Sequence, residues 1–185
     1  VPPGSYTVTL SKLKDSVVED LAGPESFEVV SLNLNPHAAK ADQLAAKETF
    51  RRKVEALDQA VGGAARVLGE LDERVGTMRR AITQTPAASL ELLKRADDLR
   101  TRLRTVREGF YGDPELDRRS EPRGPALTAR VGIASNGISE SSEPVTGIAM
   151  EQYEFAAAEF EPLLADLRKL KAEVEALDAD LNKAG

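Results

Sequence analysis

From about Gly147 to Ala184, apolar or small residues fall at Met150, Tyr153, Ala156, Phe160, Leu163, Leu167, Leu170, Val174, Leu177 and Leu181, in alternating steps of three and four. That spacing predicts one long helix with a continuous apolar seam. A second seam, Val54, Leu57, Val61, Ala64, Leu68, Leu71, Val75, Met78 and Ile82, predicts another long helix over about 41–83. Neither helix can bury its own seam, so each needs partners, and the two seams match in length and residue size.

Between them, Leu92, Ala96, Leu99, Leu103, Val106 and Phe110 form one stripe of a helix over about 87–110, with Ser89 as its cap. A short helix over about 125–135 follows, with Pro125 in its first turn, Leu127, Val131 and Ala134 inward, and Asn136-Gly137 as its stop. The charged, proline-bearing connection 112–124 is too polar for a core and belongs on the surface. Asp42 or a neighbour starts the first long helix, Thr85-Pro86 closes it, and Thr146 caps the last one. Pro162 removes one backbone hydrogen bond of the last helix and bends it without ending it.

The predicted fold is therefore mainly α: a long-helix, coiled-coil-like antiparallel bundle of three or four helices over 36–185, preceded by a short antiparallel β segment over 1–35. Helix lengths favour three strands of bundle, with the first and last helices parallel and the two middle helices forming an interrupted antiparallel leg. A four-helix up-down-up-down arrangement, which makes the first and last helices antiparallel, is the alternative.

The β segment has period two, with Tyr6, Val8 and Leu10 on one face and Thr7 and Thr9 on the other. Three strands are expected, the later two around 16–21 and 26–32, divided by turns at Lys14-Asp15 and Gly23-Pro24. The Gly4-Ser5-Tyr6 step resembles the tyrosine-corner entry to a late strand of an immunoglobulin-like sandwich. A free-standing meander is the alternative.

Composition narrows the function more by exclusion than by assignment. A net charge of -6 disfavours general nucleic-acid binding. Without cysteine there are no disulfides, thiolate metal sites or cysteine nucleophiles. No apolar run reaches the roughly 20 residues of a membrane span, and a first residue of Val1 reads as a piece of something longer. Gly62-Gly63 and Gly69 interrupt the first long helix, for which close helix approach or bending is the expected reason.

Candidate chemistry is sparse. The only imidazole, His37, lies next to Pro36 in the strand-to-helix linker and reads as a solvated linker residue. No histidine falls on a predicted helix, so a bundle di-metal site lacks its ligands. Carboxylates such as Glu70, Asp72 and Glu73, or Glu173, Glu175 and Asp178, sit mostly off the seams and read as solvated helix faces. Arg95, Arg100, Arg102, Arg104, Arg107, Arg118, Arg119, Arg123 and Arg130 are interleaved with acids, so internal ion pairing is favoured over a docking patch. No catalytic, cofactor-binding or metal-ligating residue is predicted, and no cofactor.

The opening Pro2-Pro3-Gly4-Ser5-Tyr6-Thr7-Val8-Thr9-Leu10, the strand Gly23-Pro24-Glu25-Ser26-Phe27-Glu28-Val29-Val30, the long Leu/Val helix and the Ser120-Glu121-Pro122 connection together resemble the C-terminal region of bacterial sortilin-like proteins. These are large β-propeller proteins with BNR-type repeats, often labelled glycosyl hydrolases. The resemblance spans nearly the whole chain and implies an exported, extracytoplasmic protein whose ligand site lies in an upstream propeller. It carries no catalytic residue onto any position here. The function it implies is a non-catalytic C-terminal structural or interaction module whose helical bundle docks on the propeller or mediates self-association. The alternatives are a helix-mediated oligomerisation module and an accessory wall of a hydrolase cleft.

Overall fold

The computed structural model describes residues 3–30, 39–85, 89–139 and 143–184 of the chain. They fall into two compact units, residues 1–46 with 142–144, and residues 47–141 with 145–185.

In the first unit, strand β1 (Gly4–Lys14) pairs antiparallel with strand β2 (Val17–Val29). Asp15 and Ser16 both take positive φ, 50° and 65°, the conformation whose twist suits a two-residue hairpin turn. The turn expected at Lys14-Asp15 falls one residue later, at Asp15-Ser16, and the expected three strands are two. Gly23-Pro24 does not turn the chain; it is absorbed in β2, where the register slips between the Val8–Glu25 and Leu10–Ala22 pairs. Gly23 sits at φ 97°, and a Cβ on it would lie 2.6 Å from the Val8 carbonyl oxygen, so the backbones approach too closely there for a side chain. Both irregularities add residues to β2 alone, and the missing donor of Pro24 falls where the ladder is already interrupted.

The helices are α1 (Ala41–Gln84), α2 (Leu90–Tyr111), a single turn α3 (Pro114–Arg118), α4 (Leu127–Ser139) and α5 (Gly147–Ala184). Their ends follow local chemistry. The Lys40 amide donates to Gln43 Oε1 at 2.9 Å before α1, half of a capping box. The Glu91 amide donates to Ser89 Oγ, and the Ala149 amide to Thr146 Oγ1, so both expected caps are in place. Pro125 precedes α4 rather than opening it. α4 also runs through Asn136-Gly137, the expected stop, to Ser139.

The core of the second unit is entirely apolar, and no buried side-chain nitrogen or oxygen lacks a partner among the described residues. It contains the α1 seam from Val54 to Ile82, the α2 stripe from Ala96 to Phe110, and Leu127, Val131 and Ala134 of α4. The α5 seam contributes from Ala156 to Leu177. Met150, at the start of the α5 seam, is exposed, and Ala149 is buried in its place.

Side-chain pairs give the helix directions. Phe50 meets Tyr153 edge-on near the starts of α1 and α5, and Arg74 meets Asp178 near their ends, so these two run parallel. Arg95 with Asp180, Arg102 with Glu173, and Phe110 with Phe160 set α2 antiparallel to α5. α4 continues that leg: the Thr128 hydroxyl donates to the Phe110 carbonyl at 2.9 Å, joining the first turn of α4 to the last turn of α2. This is the three-stranded arrangement with an interrupted middle leg.

Glycine has opposite roles in the two long helices' contacts. A Cβ on Gly137 would lie 2.6 Å from the Ala149 Cβ, so α4 and α5 touch there through the absence of a side chain. A Cβ on Gly62, Gly63 or Gly69 would meet nothing within 4 Å, which removes close approach as the reason for these three. Gly69→Ala should therefore stabilise the protein by about 1 kcal/mol. Gly137→Ala should destabilise it by about 1–3 kcal/mol through overpacking, with urea unfolding of both variants as the measurement. Leu71→Asp and Leu167→Asp, at 4% and 3% exposure, should each cost about 4 kcal/mol through an unpaired buried charge; unchanged thermal midpoints would show that those seams are not core.

Candidate interaction surfaces

Among the described residues, open grooves lie between each pair of the helices α1, α2 and α5, and their chemistry differs. One of about 430 Å³ between α2 and α5 is lined by Lys94, Arg95, Asp98 and Glu173, and one of about 510 Å³ between α1 and α2 by Asp72, Asp97, Arg100 and Arg107. The third, of about 360 Å³ between α1 and α5, is apolar, with Ala60, Gly63, Val67, Phe160 and Leu164 along it.

Most of the arginines that stand out in the sequence are paired, and half of those that pair do so between helices. Arg102 grips Glu173 through two bonds of 2.5 and 2.8 Å, Arg95 reaches Asp180 at 2.8 Å, and Arg107 reaches Asp72 at 2.8 Å. Arg104 faces Glu108, Arg118 Glu115, Arg119 Glu121, and Arg123 Asp117 within their own segments. Arg130 bonds Gln152 and Glu159 on α5, and its guanidinium lies 5.1 Å from the Phe155 ring centroid. Among the described residues only Arg100 of this set makes no ion pair. Internal pairing is thus the main use of these residues. What sequence spacing missed is that Arg95 and Arg107 choose partners far along the chain rather than the neighbouring acids, and that Arg102 holds Glu173 more closely than its neighbour Asp98. Being solvated, each such pair is worth at most about 1 kcal/mol, so the set fixes which helix faces which more than it adds stability.

The carboxylates respond in the expected direction. Hydrogen bonding from Arg102 holds Glu173 below its ordinary value, and hydrogen bonding from Arg95 does the same for Asp180. On α1, the Arg51 guanidinium, with Arg52 beside it, lowers Glu48 to about 2. Folded-state values below unfolded ones mean that the contribution to stability is complete above the ordinary carboxylate range and is lost as pH falls through the depressed values.

The hairpin is the opposite of the bundle. Nothing in it is buried, and Val8, Leu10, Leu13, Val17, Val18, Leu21 and Phe27 are about half exposed or more. Tyr6 stacks on Phe27 with ring centroids 5.9 Å apart. Cross-strand partners share a face, so Tyr6 with Phe27, Val8 with Glu25 and Leu10 with Ala22 form one apolar surface with a carboxylate in it. The reverse face carries Ser5, Thr7, Ser26 and Glu28, and Ser11 there donates to Asp20 at 2.6 Å.

His37 lies outside the described residues. Among those that are described, no group of three or more acidic or imidazole side chains is placed to hold a metal ion, and no helix is long and apolar enough to cross a membrane. Comparison with protein-family models, with curated proteins and with solved structures found no match, and so none identifies a sortilin-like C-terminal region.

A carbon-detected titration of the Glu48 carboxyl should give a midpoint at about 2. Arg51→Ala should move that midpoint up towards the ordinary glutamate value. Thermal stability of the whole chain should fall as pH is lowered below about 5, where the unfolded-state carboxylates begin to protonate; a flat profile down to about pH 2 would mean these ion pairs contribute nothing.

Proposed function

We propose that this chain is a non-catalytic structural and interaction module of a larger exported bacterial protein of the sortilin-like β-propeller kind. In this reading the bundle is a self-contained scaffold and the hairpin is the surface that docks. The observation that carries it is the contrast in burial: the bundle seams are covered within the chain, while the hairpin's apolar residues stand in solvent. A two-stranded hairpin is marginally stable by itself, so an uncovered one gains from a partner. The sequence resemblance supplies the propeller context and the extracytoplasmic location, and residues 4–30 then complete a sheet or sandwich of the same protein.

Light scattering of residues 1–185 over a concentration series is the direct test. A monomer throughout is expected, because the bundle seams are already occupied. A dimer that survives dilution would replace this reading with helix-mediated oligomerisation. In the full-length protein, removing residues 36–185 should leave any hydrolase turnover unchanged; its loss would make the bundle part of the substrate cleft.

A further inference from the structure

The hairpin's apolar face also specifies the chemistry of what covers it. Glu25 lies opposite Val8, with the Tyr6–Phe27 pair on one side and the Leu10–Ala22 pair on the other, so its carboxylate stands in the middle of the apolar surface. Among the described residues Glu25 makes no ion pair. The nearest cation on the same face of β1, Lys12, is four residues beyond Val8, roughly 13 Å along the strand. A surface laid over Phe27, Val8 and Leu10 removes water from Glu25 as well, and a carboxylate dried without a cation opposes docking strongly.

The hairpin of a second copy does not supply that cation. Two hairpins stacked face to face about an axis along the strands place Glu25 over Val8 of the second copy. An axis across the strands at Val8, which overlaps the apolar residues most fully, places Glu25 over Glu25. Nor is an anionic lipid surface suited, since the hairpin carries Asp15, Glu19, Asp20, Glu25 and Glu28 against Lys12 and Lys14.

Resting on the interaction-module reading above, we infer that the Val8–Leu10–Phe27 face docks an extended protein segment laid across it, apolar on the side that meets the hairpin and carrying an arginine or lysine that pairs with Glu25. The cation selects the partner, and the apolar contacts hold it.

The chain has no tryptophan, so a strand-forming peptide of alternating Val and Thr with a single Trp gives the only indole signal in a titration. Three such peptides, with Arg, Leu or Glu at the central inward position, are titrated against residues 1–185. The Arg peptide is expected to bind at least ten-fold tighter than the Glu peptide, and Glu25→Arg should reverse the order. Equal affinities for all three, lost in Phe27→Ser, would overturn the cation requirement while leaving the hairpin a docking face. No binding by any peptide would overturn both this inference and the interaction-module reading. Binding to phosphatidylserine vesicles in place of the peptides would overturn the assignment of a protein partner.

Discussion

Burial of the α5 seam is the constraint on which the rest of the second unit depends. Its residues point to two flanks, so one partner helix cannot cover it. α1 takes one flank and runs parallel; α2 and α4 share the other. The shared leg works because Phe110 and Leu127, at the junction of α2 and α4, are both fully buried, and because Thr128 caps the Phe110 carbonyl across the break. The connection between these helices can therefore leave the surface of α5 without exposing the core beneath. Gly112 makes the exit possible: at φ 88° its amide still donates to Glu108 while the chain turns away, and a side chain there would collide with Arg123.

The polar layer follows from the same packing. With no polar or charged side chain buried among the described residues, specificity of helix pairing falls to groups at the edges of the seams. Arg102–Glu173 and Arg95–Asp180 tie α2 to α5 in one direction, and Arg79–Asp97 and Arg107–Asp72 tie α2 to α1. A shifted register would keep Leu against Leu but separate these charges. Apolar seams supply the free energy, and the charges choose the alignment.

The bundle was readable in the sequence because its cause is periodic. Steps of three and four mark every buried position of the long helices from Val54 to Ile82 and from Ala156 to Leu177, and they favoured the three-stranded arrangement through helix length. Features that depend on backbone approach were not readable. Gly137 looks like a stop beside Asn136 but is a contact with Ala149, whereas Gly62 and Gly63 look like contacts and meet nothing. Gly23-Pro24 has the composition of a turn, yet register across the ladder makes it an irregularity inside β2. Ion-pair partners were half readable: the acids interleaved with Arg118 and Arg123 are their partners, but the partner of Arg95 and the closer partner of Arg102 lie on another helix. The carboxylate of Glu25 was invisible as a feature until the register put it opposite Val8.

The two units apply opposite rules to apolar residues, and the proposed interaction rests on that contrast. In the bundle, Leu, Val and Phe are removed from water and further contacts with them require opening the core. In the hairpin, side chains of the same types are in water already, and their burial by another surface is a gain with no packing to undo. An apolar surface alone would bind indiscriminately; a central carboxylate prevents this, because each apolar partner without a cation must dry an unpaired charge. In the proposed docking, selectivity at the hairpin thus comes from a residue that weakens most of the contacts its neighbours would otherwise favour.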